Sequence, residues 1–252
     1  MTSAVFLVFF SAMRILILLL VSVLPLFAQL YLIDQPTPLS LMHGEYYIDG
    51  RFQNEGGMIF HFGIGLFDRF TLGASYGGNG FLGASRPTFF PRVGFQAKAV
   101  ITSEGETFLP DLALGYDDQG FGDYDTIDKQ YQVRSKGFYL SIGKTLEMSN
   151  TYFVFGPNYW FGANKRKGLS GFLAIRQTLS DHWDLILEYN LNIGRTQQEN
   201  KRGFLNLGVA FNFNENLTFT FMLKDLLENR RTVNGKDAGM NRALNVSFHE
   251  LF

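Results

Sequence analysis

The chain has 252 residues, room for one large domain or two small ones, and no composition shift marks a boundary. Its formal net charge of -1 excludes recognition of nucleic acid through a general basic field, and the absence of cysteine excludes disulfides, thiolate catalysis, Cys-zinc sites and a lipid anchor on a processed N-terminal Cys. Aromatic residues at 16% over 18% charged residues are unlike a soluble surface, yet the mean hydropathy of +0.01 is far below that of a helical membrane protein.

In chain order, Met1 to Gln29 is the only long apolar run. Its centre, Ile15 to Leu26, follows the single basic residue Arg14, with Met13 directly before it, which is the layout of a signal peptide over 1–28. The stretch before Met13 has no basic residue, so Met13 is an alternative start. Cleavage is expected after Ala28, with Leu26 at minus three leaving a shift of a residue or two open. A retained anchor is the alternative, opposed by Pro25 and the short apolar core. Residues 29–42 then read as an N-terminal periplasmic segment.

From His43 the sequence breaks into segments of roughly ten residues with period-two alternation, the pattern of strands with lipid on one side and a lumen on the other. Strands are predicted near 44–53, 57–66, 69–77, 92–101, 109–117, 136–146, 151–161, 169–179, 183–194, 203–213, 216–225 and 242–250. Trp183, Leu185, Leu187 and Tyr189 oppose Asp184, Glu188 and Asn190; Leu205, Leu207, Val209 and Phe211 oppose Asn206, Gly208 and Ala210. A slip of one residue would place carboxylates in lipid, so the register is well specified. Tight turns at 67–68, 103–107, 147–150, 180–182 and 214–215 mostly alternate with longer connections. The fold class is therefore all-β, a transmembrane antiparallel up-and-down barrel of about twelve strands over 43–252, with both termini in the periplasm of a Gram-negative outer membrane. The end of the chain agrees: Phe252 closes an apolar face continued by Phe248, Val246 and Leu244, the kind of signal that the barrel-assembly machinery reads, broken once by Glu250.

Candidate chemistry is sparse. His43, His61, His182 and His249 are scattered without ligand spacing, no segment reads as a nucleophile elbow, and His61 should face the lumen. Neither an enzyme nor a cofactor is expected. The acidic stretch Asp117, Asp118, Asp123, Asp125 and Asp128 lacks EF-hand spacing and reads as a solvated loop rather than a calcium site. Lys165, Arg166 and Lys167 read as solvated cations of an outer loop, with lipopolysaccharide phosphate or an acidic polysaccharide as the alternative. Alternation points Glu45, Asp49, Arg51, Lys98, Arg176, Asp184, Glu188 and Lys224 inward with near-balanced signs, to pair across a narrow lumen or to line a polar path. Pairing is the favoured reading, because a small barrel has little free bore.

The run Glu106-Thr-Phe-Leu-Pro110-Asp-Leu-Ala-Leu-Gly-Tyr-Asp-Asp-Gln-Gly-Phe-Gly122, then Tyr131-Gln-Val-Arg-Ser-Lys-Gly-Phe138 with its Ser135-Lys136 pair, resembles the YjbH-like family of outer-membrane barrels. Pro36-Thr-Pro38 and Leu217 to Leu227, with Lys224-Asp225-Leu226-Leu227, are similar in type. The resemblance implies a role in exopolysaccharide or capsule secretion, with polysaccharide-export proteins as partners. Two features depart from the family: the lipoprotein cysteine of many relatives is absent, and the chain holds one barrel. The leading expectation is a non-catalytic envelope component assisting secretion. The alternatives are a narrow channel for small polar solutes and a structural or adhesive barrel.

Overall fold

The computed structural model describes residues 29–252 apart from 84–85, 107, 126–128, 162–166, 194–202, 230–231, 234–235 and 238–239. The expected signal peptide, Asp128, Lys165 and Arg166 lie outside the described residues.

Alternating side chains force an amphipathic sheet, and such a sheet in lipid must close on itself so that no backbone group is left unpaired. Twelve strands form the wall: β1 (Glu45–Gln53), β2 (Gly57–Leu66), β3 (Phe70–Asn79), β4 (Gly94–Thr102), β5 (Asp111–Asp117), β6 (Gly137–Leu146), β7 (Thr151–Phe161), β8 (Lys167–Ser180), β9 (Trp183–Asn190), β10 (Phe204–Asn212), β11 (Leu217–Lys224) and β12 (Asn241–Leu251). Each pairs antiparallel with its chain neighbours, and β1 closes the ring on β12 from Glu45↔Leu251 to Phe52↔Leu244. A two-residue strand, Thr88–Phe89, adds to β3, and the loop after β5 forms its own hairpin, Phe121–Asp125 with Gln130–Val133. No helix among the described residues is long and apolar enough to cross a membrane; the crossing is made by strands.

The outer face is apolar in register. On β9, β10 and β11 the pairs Leu187↔Leu207, Leu185↔Val209 and Val209↔Phe221 run side by side around the barrel, and Phe60, Phe155 and Phe221 are among its exposed large side chains. The opposite face of β9, Asp184, Ile186, Glu188 and Asn190, is buried in the bore. At one end the turns are short. Phe67 and Asp68 reverse β2 into β3 with φ of 55° and 57°, and the Asp68 carboxylate accepts the His43 N–H at 2.6 Å. Apart from the three-residue turn at Asn54–Gly56, the longer connections lie at the other end, the arrangement of periplasmic turns and extracellular loops. At the C-terminus Phe252 lies against Tyr46 with ring centroids 4.8 Å apart, and its N–H bonds to the Gly44 carbonyl at 3.0 Å. Leu244, Val246 and Phe248 share the outward face of β12, while Asn245, Ser247 and His249 turn inward to β1 carboxylates.

Residues 29–42, expected as a periplasmic segment, lie inside the barrel. Ile33, Gln35, Thr37 and Leu41 are completely buried. The wall makes room for them. A Cβ on Gly65 of β2 would overlap the Met42 carbonyl, and one on Gly208 of β10 would stand 2.9 Å from the Cδ1 of Ile33.

Candidate functional site

The inserted segment is a hairpin. Leu32 N–H bonds to the Gln35 carbonyl at 3.1 Å and Thr37 N–H to the Leu30 carbonyl at 3.0 Å, which leaves Asp34 at the tip. Pro36 and Pro38 suit a strand that finds no ladder partner on the wall, since neither has an N–H to satisfy. The Pro36 carbonyl accepts the Ser141 hydroxyl at 2.8 Å. Leu32 and Ile33 join an apolar cluster with Tyr139, Tyr152, Phe172 and Ile186, so this bore is not lined by polar groups alone.

The charges sort around this plug. Arg51 donates from Nη1 to Asp34 at 2.6 Å and from Nη2 to the Ile33 carbonyl at 2.6 Å, and Lys224 reaches Asp34 at 2.9 Å. Glu188, 0% exposed, accepts the backbone N–H groups of Ile33 at 2.6 Å, Asp34 at 2.9 Å and Gln35 at 3.0 Å. The Lys98 ammonium bonds to the Leu30 and Leu39 carbonyls at 3.1 and 3.0 Å, and Arg176 to Gln29 Oε1 at 3.2 Å. Near the periplasmic end Thr71 Oγ1 accepts the Leu41 N–H at 3.2 Å, and Glu45 accepts that of Met42 at 2.8 Å.

All eight inward charges expected from the alternation do face the bore, but the expected pairing among them is absent. No ion pair joins Arg51, Lys98, Arg176 or Lys224 to Glu45, Asp49, Asp184 or Glu188. The bore is filled by a third element, which takes the cations with its carboxylate and carbonyls and takes Glu188 with its amides. Asp49 and Asp184 are held by the wall, and Glu45 is shared between the wall and the Met42 N–H of the plug. Asp49 contacts His61 at 2.9 Å, the Ser247 hydroxyl at 3.0 Å and the Asn245 amide; Glu45 contacts His249 at 2.9 Å; Asp184 accepts from Thr178 at 2.7 Å and Asn212 at 3.0 Å. His61 is lumenal, as its alternation implied. In the Ser247–Asp49–His61 group the serine donates to the aspartate and not to the imidazole, so it is not a nucleophile–base pair. Among the described residues no cluster of His and carboxylates could hold a metal.

Above the plug, the hairpin after β5 folds into the outer mouth. Phe121 lies over the Arg51 guanidinium at 4.4 Å and the Lys224 ammonium at 4.3 Å, and Tyr131 meets Phe90 edge-on at 5.1 Å. Between this hairpin and the wall is a vestibule of about 110 Å³, with Asp34 and Lys224 lining it together with Gln53, Asn206 and Asn229. Two of the acidic-stretch residues expected in a solvated loop are buried instead. Asp117 accepts from Tyr31 of the plug at 3.0 Å and from the Gln119 N–H at 2.9 Å, and Asp118 accepts the Phe95 N–H at 2.6 Å. Sequence reading missed the plug, Phe121 and Lys136. The signal for the first was Leu30, Leu32, Ile33 and Leu41, too many apolar residues for a solvated tail.

No protein-family model and no curated protein matches the sequence. Solved structures do, and the fold they share with this chain is the β-barrel of porins and channels in the outer membrane of Gram-negative bacteria. The KdgM porin matches with a TM-score of 0.52 at 11% identity, over 81% of this chain and 98% of that one. The COG4313 outer membrane channel from Pseudomonas putida F1 matches with a TM-score of 0.52 at 14% identity, over 87% of this chain and 100% of that one. A second structure of the KdgM porin, in complex with disordered oligogalacturonate, matches at 0.51 and 11% over the same shares, 81% and 98%.

Proposed function

We propose that the protein is a narrow, non-catalytic outer-membrane channel for small polar solutes, closed in this state by the residue 29–42 plug. One observation carries the reading: what fills the bore is not wall but a separate hairpin, held by charge-assisted hydrogen bonds from β1, β4, β8, β9 and β11. A segment bonded to the wall through side chains, with one backbone turn bond where Met42 meets Glu45, can leave the bore without breaking a ladder bond. The channel architecture of the similar structures supports this reading over assistance to polysaccharide secretion, which no such structure supports.

The test is conductance of the full-length protein in planar bilayers. Wild type should be nearly silent. Asp34→Arg sets a cation against Arg51 and Lys224 at the tip and should expel the plug, giving steady channels in a barrel that keeps its heat-modifiable mobility. An intact Asp34→Arg barrel that stays insulating refutes the channel reading.

A further inference from the structure

The tip of the plug sits in a socket built for a carboxylate. Arg51 and Lys224 both donate to Asp34, at 2.6 and 2.9 Å, the Asn206 amide approaches it at 3.4 Å, and Phe121 covers both cations from the outer side. A third cation stands behind: Lys136, 4% exposed, has no hydrogen-bond partner for its ammonium and lies 5.4 Å from the Phe172 ring, in the cluster around Leu32 and Ile33. The socket opens toward the outer vestibule, where amides collect. Gln53 Oε1 and both side-chain polar atoms of Asn229 are buried without a hydrogen-bond partner. Buried amides left unsatisfied beside a cavity are what a hydroxylated ligand would satisfy.

We propose that this socket is the solute-recognition site and that its ligand is a small hydroxylated monocarboxylate of the sugar-acid type. The proposal rests on the channel reading above. The solute carboxylate takes the place of the Asp34 carboxylate between Arg51 and Lys224, its hydroxyls meet Gln53 and Asn229, and the displaced plug opens the bore. A long polyanion fits less well. The vestibule holds about 110 Å³, and its lining includes Glu55, Asp123 and Asp225, which repel additional negative charge. Asp34 competes as a tethered ligand, and a short tether gives an effective concentration of about millimolar, so opening is expected at roughly millimolar solute.

D-glucuronate and D-glucose make the decisive pair, since they differ at the carboxylate. With full-length wild type in planar bilayers, glucuronate on the outer side should raise open probability with a midpoint of about millimolar, and glucose at equal concentration should not. Asp34→Asn removes the negative charge that Arg51 and Lys224 share on the internal competitor and should lower the glucuronate midpoint by at least about tenfold. If glucose opens the channel as well as glucuronate, or Asp34→Asn leaves the midpoint unmoved, or glucuronate does nothing while Asp34→Arg conducts, the socket assignment is overturned and the channel reading survives. If the folded Asp34→Arg barrel is also silent, the channel reading falls and takes this one with it.

Discussion

Replacing Glu188 with Ala isolates the hold of the wall on the plug. Its carboxylate is the acceptor for three successive backbone N–H groups, those of Ile33, Asp34 and Gln35, at 2.6, 2.9 and 3.0 Å. Each buried N–H left without an acceptor costs about 1–3 kcal/mol. Two effects reduce the sum. Water can enter the space vacated by the side chain, and the Asn206 amide lies 3.4 Å from both the Glu188 and the Asp34 carboxylates, so removing one relieves a like-charge approach. The net loss expected for plug docking is about 2–3 kcal/mol, a shift of roughly 30- to 150-fold in the docked-to-released ratio. The wall is spared, because Glu188 keeps its backbone pairing with Ala174 and Asn206. Hydrogen exchange read on peptides covering 29–42 should therefore accelerate by that factor while the β9 peptides stay protected. Glu188→Gln keeps an acceptor oxygen and should fall between the two. Wild-type protection of residues 33–35 in an intact Glu188→Ala barrel would refute the argument that this carboxylate anchors the plug.

Two further outcomes test the barrel and its assembly. Leu187 faces lipid in the middle of β9 between Ile175 and Leu207, so Leu187→Arg should destabilise the folded barrel by about 2–4 kcal/mol in urea titrations, whereas a lumenal position would tolerate the charge far better. Deleting Phe252 removes its ring from Tyr46 and its N–H from Gly44, and pulse-chase assembly into the heat-modifiable form should slow; unchanged kinetics would mean that the end of β12 is not the assembly signal.

The wall was legible because period-two alternation names both the strand and the face. All twelve strands lie within a few residues of their expected places, with β9 ending at Asn190 instead of 194, just before Asn192 takes a left-handed φ of 47°. Alternation is silent about partners. It placed Arg51, Glu188 and Lys224 in the bore correctly, but which charge each meets depends on what occupies the bore, and the plug has no period to announce it. Residues 29–42 form a single bridge, Tyr31 with Pro36, and no strand or helix, and their burial depends on walls far along the chain. Asp117 and Asp118 were misread for a related reason: a charge cluster in a connection looks solvated until the connection folds back over the mouth.

The plug's contacts join residues far apart in sequence. Ile33 lies 155 positions before Glu188, and Asp34 lies 190 before Lys224. Its anchors on β1, β4, β8, β9 and β11 spread around the whole circumference, so they come to the right spacing only when every strand is present in register. The hairpin is thus a gauge of barrel closure. Its docking must follow the last strand pairing, at the entropic cost of the longest loops in the molecule. A barrel with a slipped or missing strand could not seat it, and the same segment that seals a finished pore would be left hanging in the periplasm, open to proteolysis, on a defective one.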